Sequence, residues 1–244
     1  RLCRTINQMA EDLAETDRLK NEFISSVSHE LRTPLTAING WGETLLGDTS
    51  NDPVQLRRGV GIILKESRRL TNMVEELLQF SRMQDGRFTL EVEPVDIQAE
   101  FEDAVFTYKE LFAQDGIEVR YDDGGLEEFP IIEGDPERLK QVFCNLLDNA
   151  AKHGGSGKRI DVSIAQEGGE GVIRIRDYGP GIPPEELPHV KYKFYKGSSK
   201  ARGSGIGLAV CEEIISRHNG ELTISNAEDE AGGCLVEVRL PTGT

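Results

Sequence analysis

The chain has 244 residues, 37% hydrophobic and 29% charged, enough to bury cores for one large domain or two modest ones without disulfide or metal support. Its formal net charge of −15 argues against nucleic acid, which needs a basic face, and against direct contact with an anionic membrane surface. Cys3, Cys144, Cys211 and Cys234 form no CxxC pair and read as reduced thiols. No run approaches the roughly 20 apolar residues of a membrane span, and the first residues, from Arg1, already fit a helical pattern. The expectation is therefore a cytoplasmic portion of a longer protein, with a membrane anchor upstream.

In chain order, Leu2, Ile6, Met9, Leu13, Thr16, Lys20, Phe23 and Val27 alternate steps of four and three, the seam of a coiled coil with two polar positions. The stripe continues through Leu31, Leu35, Ile38 and Leu45 to a stop near Gly47. After a polar linker at 48–51, Asp52 offers an N-cap, Pro53 the first helical position and Gln55 the closing residue of a capping box. Ile63, Leu70, Val74, Leu77 and Ser81 form the seam of a second helix, flanked by Leu64 and Leu78. Gly59 and Gly61 each weaken it by about 1 kcal/mol relative to alanine. Such a hairpin cannot bury both stripes alone, so dimerisation into a four-helix bundle is expected.

Beyond Gln84-Asp85-Gly86 the period changes. Strand-like runs occupy 88–92, 117–121, 160–165, 172–176, 222–225 and 234–240, with helical patterns at 96–114, 136–153 and 207–219. The mixture predicts a sheet covered by helices, with the domain boundary at about 84–91.

The segment Ser28-His29-Glu30-Leu31-Arg32-Thr33-Pro34-Leu35 is the most informative of the first part. His29 lies roughly 160° around the helix from both Val27 and Leu31, hence towards solvent. Pro34 stands inside a helical pattern and predicts a kink beside that exposed imidazole. Glu30 is placed to hydrogen-bond one ring nitrogen, leaving the other as a nucleophile.

Three motifs mark the second part. Asn145, Asn149 and Lys152 make a polar edge on the predicted helix that ends in His153; amide oxygens suit Mg²⁺ and a lysine suits phosphate. In Asp177-Tyr178-Gly179-Pro180-Gly181-Ile182, a strand-end carboxylate can accept from an adenine amino group, while glycines admit a flat base. Gly203-Ser204-Gly205-Ile206-Gly207-Leu208 opens a helix with bare backbone amides suited to phosphate. It is neither a Walker A loop nor a dinucleotide fingerprint, since it lacks Gly-Lys-Ser/Thr and has Leu208 at the final glycine position.

Together these segments resemble the sensor histidine kinases of bacterial two-component systems. His29 to Leu35 is similar to their H box, Asn145 to His153 to the N box, and Asp177 to Gly181 to the G1 box. Lys193-Phe194-Tyr195-Lys196 is similar to the F box and Gly203 to Gly207 to the G2 box, all in family order. The resemblance implies an α+β chain: an antiparallel helical hairpin dimerising into a four-helix bundle, then an α/β sandwich ATP-binding domain of the gyrase, chaperone and histidine kinase type. Residues 1–86 would be the signalling helix with the dimerisation and phosphotransfer domain, and 87–244 the catalytic ATP-binding domain.

By the same likeness His29 is the phospho-acceptor, Glu30 the adjacent base, and Thr33 the residue that positions water in phosphatase activity towards the regulator. Asn149 holds Mg²⁺ with Asn145 nearby, Lys152 meets phosphate, and His153 completes the N box. Asp177 reads adenine among Gly179, Gly181 and Ile182, while Gly203, Gly205, Ile206, Gly207 and Leu208 surround the phosphates. Residues 184–202 form a lid in which Lys193, Tyr195, Lys196 and Arg202 are candidates; the family often has arginine where Lys193 stands. The implied ligands are ATP and Mg²⁺, and the implied partners a second copy and the receiver domain of a response regulator. Gyrase-like members carry glutamate where this chain has Asn145, and an amide cannot abstract a proton from water, which favours transfer to His29 over hydrolysis. The rival readings, an ATP-driven clamp and a non-enzymatic scaffold, leave the His29 segment or the ATP motifs without a role.

Overall fold

The computed structural model describes residues 2–47, 52–84, 88–125, 129–193, 195, 197, 205–229 and 231–242. The 48–51 linker, Asp85-Gly86, Lys196, Arg202 and Gly203 lie outside the described residues, as do the seam side chains of Leu2, Ile6, Met9, Leu13, Thr16, Lys20 and Phe23. Two compact units emerge, dividing in the main between Phe88 and Thr89.

The first unit is helical. Helix α1 spans Leu2–Gly47 and α2 spans Pro53–Gln84. The first runs through Pro34, which is buried, to end at Gly47 as expected. Threonine hydroxyls on either side of the proline bond back to carbonyls of their own helix, Thr33 to His29 at 3.2 Å and Thr36 to Arg32 at 2.9 Å. Asp52 caps α2 as its sequence predicts, its Oδ1 accepting from the Val54 amide at 2.9 Å. Gln55 returns no bond to complete a capping box among the described residues; the Asp52 carboxylate alone serves that first turn.

Gly59 is a close-approach point between the helices. A Cβ there would stand 2.9 Å from the Trp41 ring and 3.0 Å from Leu45, so the residue that weakens α2 locally also lets Trp41 nest against it. The hairpin nevertheless buries little of its stripes: Met73 is its one large buried apolar side chain among the described residues. Leu35, Val60, Leu64, Val74 and Leu78 stay exposed.

The second unit layers helices on one sheet. Its elements are β1 (Glu93–Val95), α3 (Ile97–Gln114), β2 (Glu118–Asp122), β3 (Ile132–Gly134), α4 (Pro136–Gly154), β4 (Arg159–Glu167), β5 (Glu170–Asp177), α5 (Gly207–Arg217), β6 (Glu221–Asn226) and β7 (Cys234–Pro241). Five strands run in the order β2-β4-β5-β7-β6; β2 is parallel to β4 and the other pairs are antiparallel. A separate ribbon pairs β1 with β3. The expected strand at 88–92 is displaced to β1, because β3, its pairing strand among the described residues, meets residues 93–95.

Alternation explains both faces of the sheet. Ile160, Val162 and Ile164 of β4, with Ile173 and Ile175 of β5 and Val238 of β7, are buried. They meet Leu139, Val142, Phe143 and Leu146 of α4, while Phe101 of α3 packs edge-on to Phe143 at 5.2 Å. Each such side chain contributes about 1.5–3 kcal/mol on burial. Arg174, Arg239, Glu167 and Glu237 lie on strand positions that alternate with this core and form a ladder of ion pairs, Arg174 and Arg239 each 2.7 Å from Glu237. Capping sets the helix starts. Asp96 accepts from the Ala99 amide at 3.0 Å, and Asp135 from the Arg138 amide at 3.1 Å with Pro136 at the first helical position. The buried His218 ties α5 to the α4 cap: its Nδ1 donates to the Ile214 carbonyl at 2.7 Å and its Nε2 accepts from the Asp135 amide at 2.9 Å.

Candidate active site

In the helical unit, His29 is exposed on α1 and borders a shallow depression with Arg32, Thr33, Thr36 and Ala37. Its ring makes no hydrogen bond among the described residues, so both nitrogens face solvent chemistry rather than structure. Glu30, expected to bond that ring, turns instead towards α2, where its Oε2 accepts from Arg69 Nη2 at 3.0 Å. The reason is geometric: successive residues of a helix diverge by about 100°, and the face that exposes His29 turns Glu30 inward. Thr33 stands one turn on, its hydroxyl committed to the His29 carbonyl.

In the α/β unit the second site assembles where β5 ends beside the C-terminus of α4. Asp177 is buried, 7% exposed. Its Oδ1 accepts from the amides of Gly179 at 2.9 Å and Cys234 at 3.3 Å, and Oδ2 takes no hydrogen bond among the described residues. Burial pushes this carboxyl above its ordinary range, against the pull of those two amides and of His153 and Arg176. His153 is displaced the other way, held below the usual imidazole range by desolvation first and by Lys152 next, with Asp177 opposing.

Backbone packing leaves no space for side chains around this carboxylate. A Cβ on Gly154 would fall 2.1 Å from Asp177, and one on Gly179 would fall 2.6 Å from Gly154. Gly181 adopts φ +74°, and a Cβ there would meet Asn226 Oδ1 at 2.8 Å. Asn226 is the residue the sequence reading missed. Its Oδ1 accepts from the Ile182 amide at 2.7 Å and its Nδ2 donates to the Ile182 carbonyl at 2.6 Å, a two-bond clamp that holds the loop's shape. Gly154 escaped notice too, although the run His153-Gly154-Gly155-Ser156-Gly157 after a helix was a visible signal.

Tyr178 points elsewhere. Arg159 and Arg176 lie over its ring, 4.6 and 4.4 Å from the centroid, and its hydroxyl donates to Asp161 at 2.7 Å. This stack steadies the loop from its far side and leaves the glycines clear.

The remaining candidates divide. His153, Asp177, Gly179, Gly181 and Ile182 come together in this one loop cluster. Asn145 and Asn149 are half-buried along α4, and Asn145 hydrogen-bonds the Cys211 thiol, which burial pushes up to about 12. Lys152 is exposed, 3.4 Å from Asp148 of its own helix. No hydrogen bond among the described residues joins these three to the Asp177 loop. Gly205, at φ +72°, and the buried Ile206 lead into α5, which Gly207 and Leu208 open. Lys193 is exposed and Tyr195 half-buried. Among the described residues, no cluster of His, Cys, Asp or Glu could hold a metal ion, and no helix is long and apolar enough to cross a membrane.

Comparison with known proteins agrees with both halves. Residues 19–86 match the His Kinase A (phospho-acceptor) domain, and 134–244 match the histidine kinase-, DNA gyrase B- and HSP90-like ATPases. The chain belongs to the sensor histidine kinases of bacterial two-component systems. It is 35% identical to the signal transduction histidine-protein kinase AfsQ2 of Streptomyces coelicolor, over 98% of this chain and 46% of that protein. The chain thus spans less than half the length of the curated relatives it matches. Among solved structures, the histidine kinase ThkA in complex with the response regulator protein TrrA gives a TM-score of 0.69 at 24% identity, over 97% of this chain and 66% of that one. Full-length ShkA in complex with AMPPNP gives 0.65 at 24% identity, over 90% and 45%. Both likenesses establish the fold: a helical hairpin followed by an α/β ATPase-type sandwich.

Proposed function

We propose that this chain uses MgATP to phosphorylate its own His29 and then passes the phosphoryl group to an aspartate of a response regulator. The observation that carries the reading is an exposed, unengaged imidazole on a helical hairpin in the same chain as a buried carboxylate packed against glycines. The Asp177 loop suits an adenine amino group: the carboxylate keeps one oxygen unbonded among the described residues, and Gly154 and Gly179, where a Cβ would clash, let the backbone close in beside it. ShkA, whose structure contains AMPPNP, supports the nucleotide, and ThkA with TrrA supports the partner.

In this reading Asp177 accepts from the adenine amino group, and the amides around Gly205 and Gly207 receive phosphate oxygens with Gly203. Lys152, Lys193, Lys196 and Arg202 supply positive charge, with Tyr195 among the lid residues. Mg²⁺, when bound, neutralises phosphate charge; Asn149 would be its protein ligand, in keeping with a hard ion that keeps waters and substrate oxygens. One ring nitrogen of His29 attacks the γ-phosphorus. The N–P bond forms as the bond to ADP breaks, ADP leaves with the electron pair, and Glu30 accepts the proton of the other ring nitrogen. Thr33 orients water when the phosphorylated response regulator is later dephosphorylated. The same reading divides the chain into a phosphotransfer part, 1–86, and a catalytic part, 87–244. It makes the working form a homodimer, whose four-helix bundle would cover Leu35, Val60, Leu64, Val74 and Leu78.

The test is incubation with γ-labelled MgATP beside His29→Gln. Acid-labile, alkali-stable label on the first protein and none on the second is expected. Label persisting in the variant would move the acceptor elsewhere, and rapid phosphate release without label would favour a clamp ATPase.

A further inference from the structure

Glu30 sits next to the acceptor in sequence, yet its carboxylate is engaged on the other helix. Arg69 of α2 reaches it at 3.0 Å, in a pair whose side chains are 29% and 13% exposed. The same guanidinium lies 3.6 Å from Glu66, one turn earlier on α2. Arg69 is therefore offered two carboxylates, one on its own helix and one beside His29. A guanidinium has five donors in a planar fork and stays charged at all working pH, so it can hold both or release one without titrating. The partial burial of the Glu30 pair weakens solvent screening and makes the geometry persistent.

We propose that Arg69 is a positioning residue that draws the Glu30 carboxylate onto α2, withholding it from the His29 ring until the pair separates. The inference rests on the histidine kinase reading, in which Glu30 accepts the ring proton. Rotation or sliding of α1 against α2 by a fraction of a turn lengthens the Arg69–Glu30 bond while leaving Arg69 with Glu66. Glu30 then swings to His29 and accepts the proton that the ring gives up as its other nitrogen bonds phosphorus. The ion pair thus couples the packing of the hairpin to the reactivity of an imidazole that itself makes no contact with α2 among the described hydrogen bonds.

The experiment is a double-mutant cycle in the full chain: wild type, Arg69→Ala, Glu30→Gln and the pair, with Arg69→Lys as the conservative variant. Initial rates of His29 labelling are read at several ATP concentrations, and thermal unfolding is recorded for each variant. Arg69→Ala should raise kcat several-fold with KM for ATP unchanged. In the Glu30→Gln background it should do nothing, and Arg69→Lys should return kcat towards wild type. Unchanged or reduced kcat in Arg69→Ala, or the same rise with Glu30→Gln present, overturns the proposal, as does a change confined to KM. Should Arg69→Ala melt out, Arg69→Gln, which keeps the aliphatic stem without the charge, is read by the same criteria. Wild-type chain that takes no label on His29 defeats the kinase reading itself; label without an Arg69 effect defeats this inference alone.

Discussion

The two candidate sites are built on opposite principles. Around His29 the chain is a helical surface, with an exposed ring, hydroxyls bonded to their own helix, and apolar side chains still facing outward. Around Asp177 the chain is closely packed, and Gly154, Gly179 and Gly233 stand where a methyl group would not fit. On the proposed function His29 has to be reached by other surfaces, which suits its open neighbourhood. By the same reading a nucleotide base has to be discriminated at Asp177, which suits a rigid, backbone-lined neighbourhood. One kind of substitution should therefore have opposite consequences in the two regions.

The largest effect is expected from Gly154→Ala, whose new Cβ would lie 2.1 Å from Asp177. Overpacking of about 1–3 kcal/mol should lower the unfolding midpoint of the α/β unit and weaken ATP binding together, read by calorimetry and by titration with a fluorescent ATP analogue. Wild-type affinity in this variant would mean that the pocket walls give way easily. Asp177→Asn comes next and separates binding from folding. Loss of a charged acceptor is worth roughly 1.5–3 kcal/mol, so ATP should bind about 10- to 100-fold more weakly. Stability should move the other way. The folded-state pKa of Asp177 is raised by burial, so the native protein holds its proton more tightly than the unfolded chain. The corresponding stability is present at low pH and lost as pH rises from the unfolded value through the folded one. Asparagine removes that loss, and a melt of Asp177→Asn at pH 7 should be no lower than wild type.

Asn226→Ala removes both bonds to Ile182. At about 0.5–1.5 kcal/mol per bond, ATP affinity should fall roughly tenfold, with His29 still able to accept label at saturating nucleotide. Affinity equal to wild type would make the clamp ornamental to the loop. The smallest effect reverses sign: Gly40→Ala, with nothing within 4 Å of its added Cβ, should stabilise the hairpin by about 0.8–1 kcal/mol through helix propensity alone. A destabilised hairpin would reveal that another surface, such as a second copy, lies against Gly40 in solution.

Much of this contrast was legible in the chain itself. The exposed side of His29 followed from helical phase, the cap of α2 from Asp52-Pro53, and the extent of α4 from the helical pattern at 136–153. Less visible was anything that depends on a distant segment. The β1–β3 ribbon was displaced because a strand exists only where a partner runs beside it. The capping box at Gln55 was not completed, and Glu30 found Arg69, thirty-nine residues away, instead of its neighbour. Asn226 carried no local signal at all, since an asparagine at a strand end reads as a turn residue until Ile182 is seen beside it.

What the sequence determined by itself is the set of local periodicities and turn chemistries: two long amphipathic helices, an alternating sheet, an exposed histidine and glycine-rich loops at helix and strand ends. These follow from the steric and solvation preferences of a few consecutive residues. Only the tertiary structure decided which partner Glu30 meets, which glycines pack against Asp177 and which of its oxygens stays unbonded. Those outcomes turn on contacts between segments tens of residues apart, where burial and hydrogen-bond competition outweigh what any residue prefers among its neighbours in the chain.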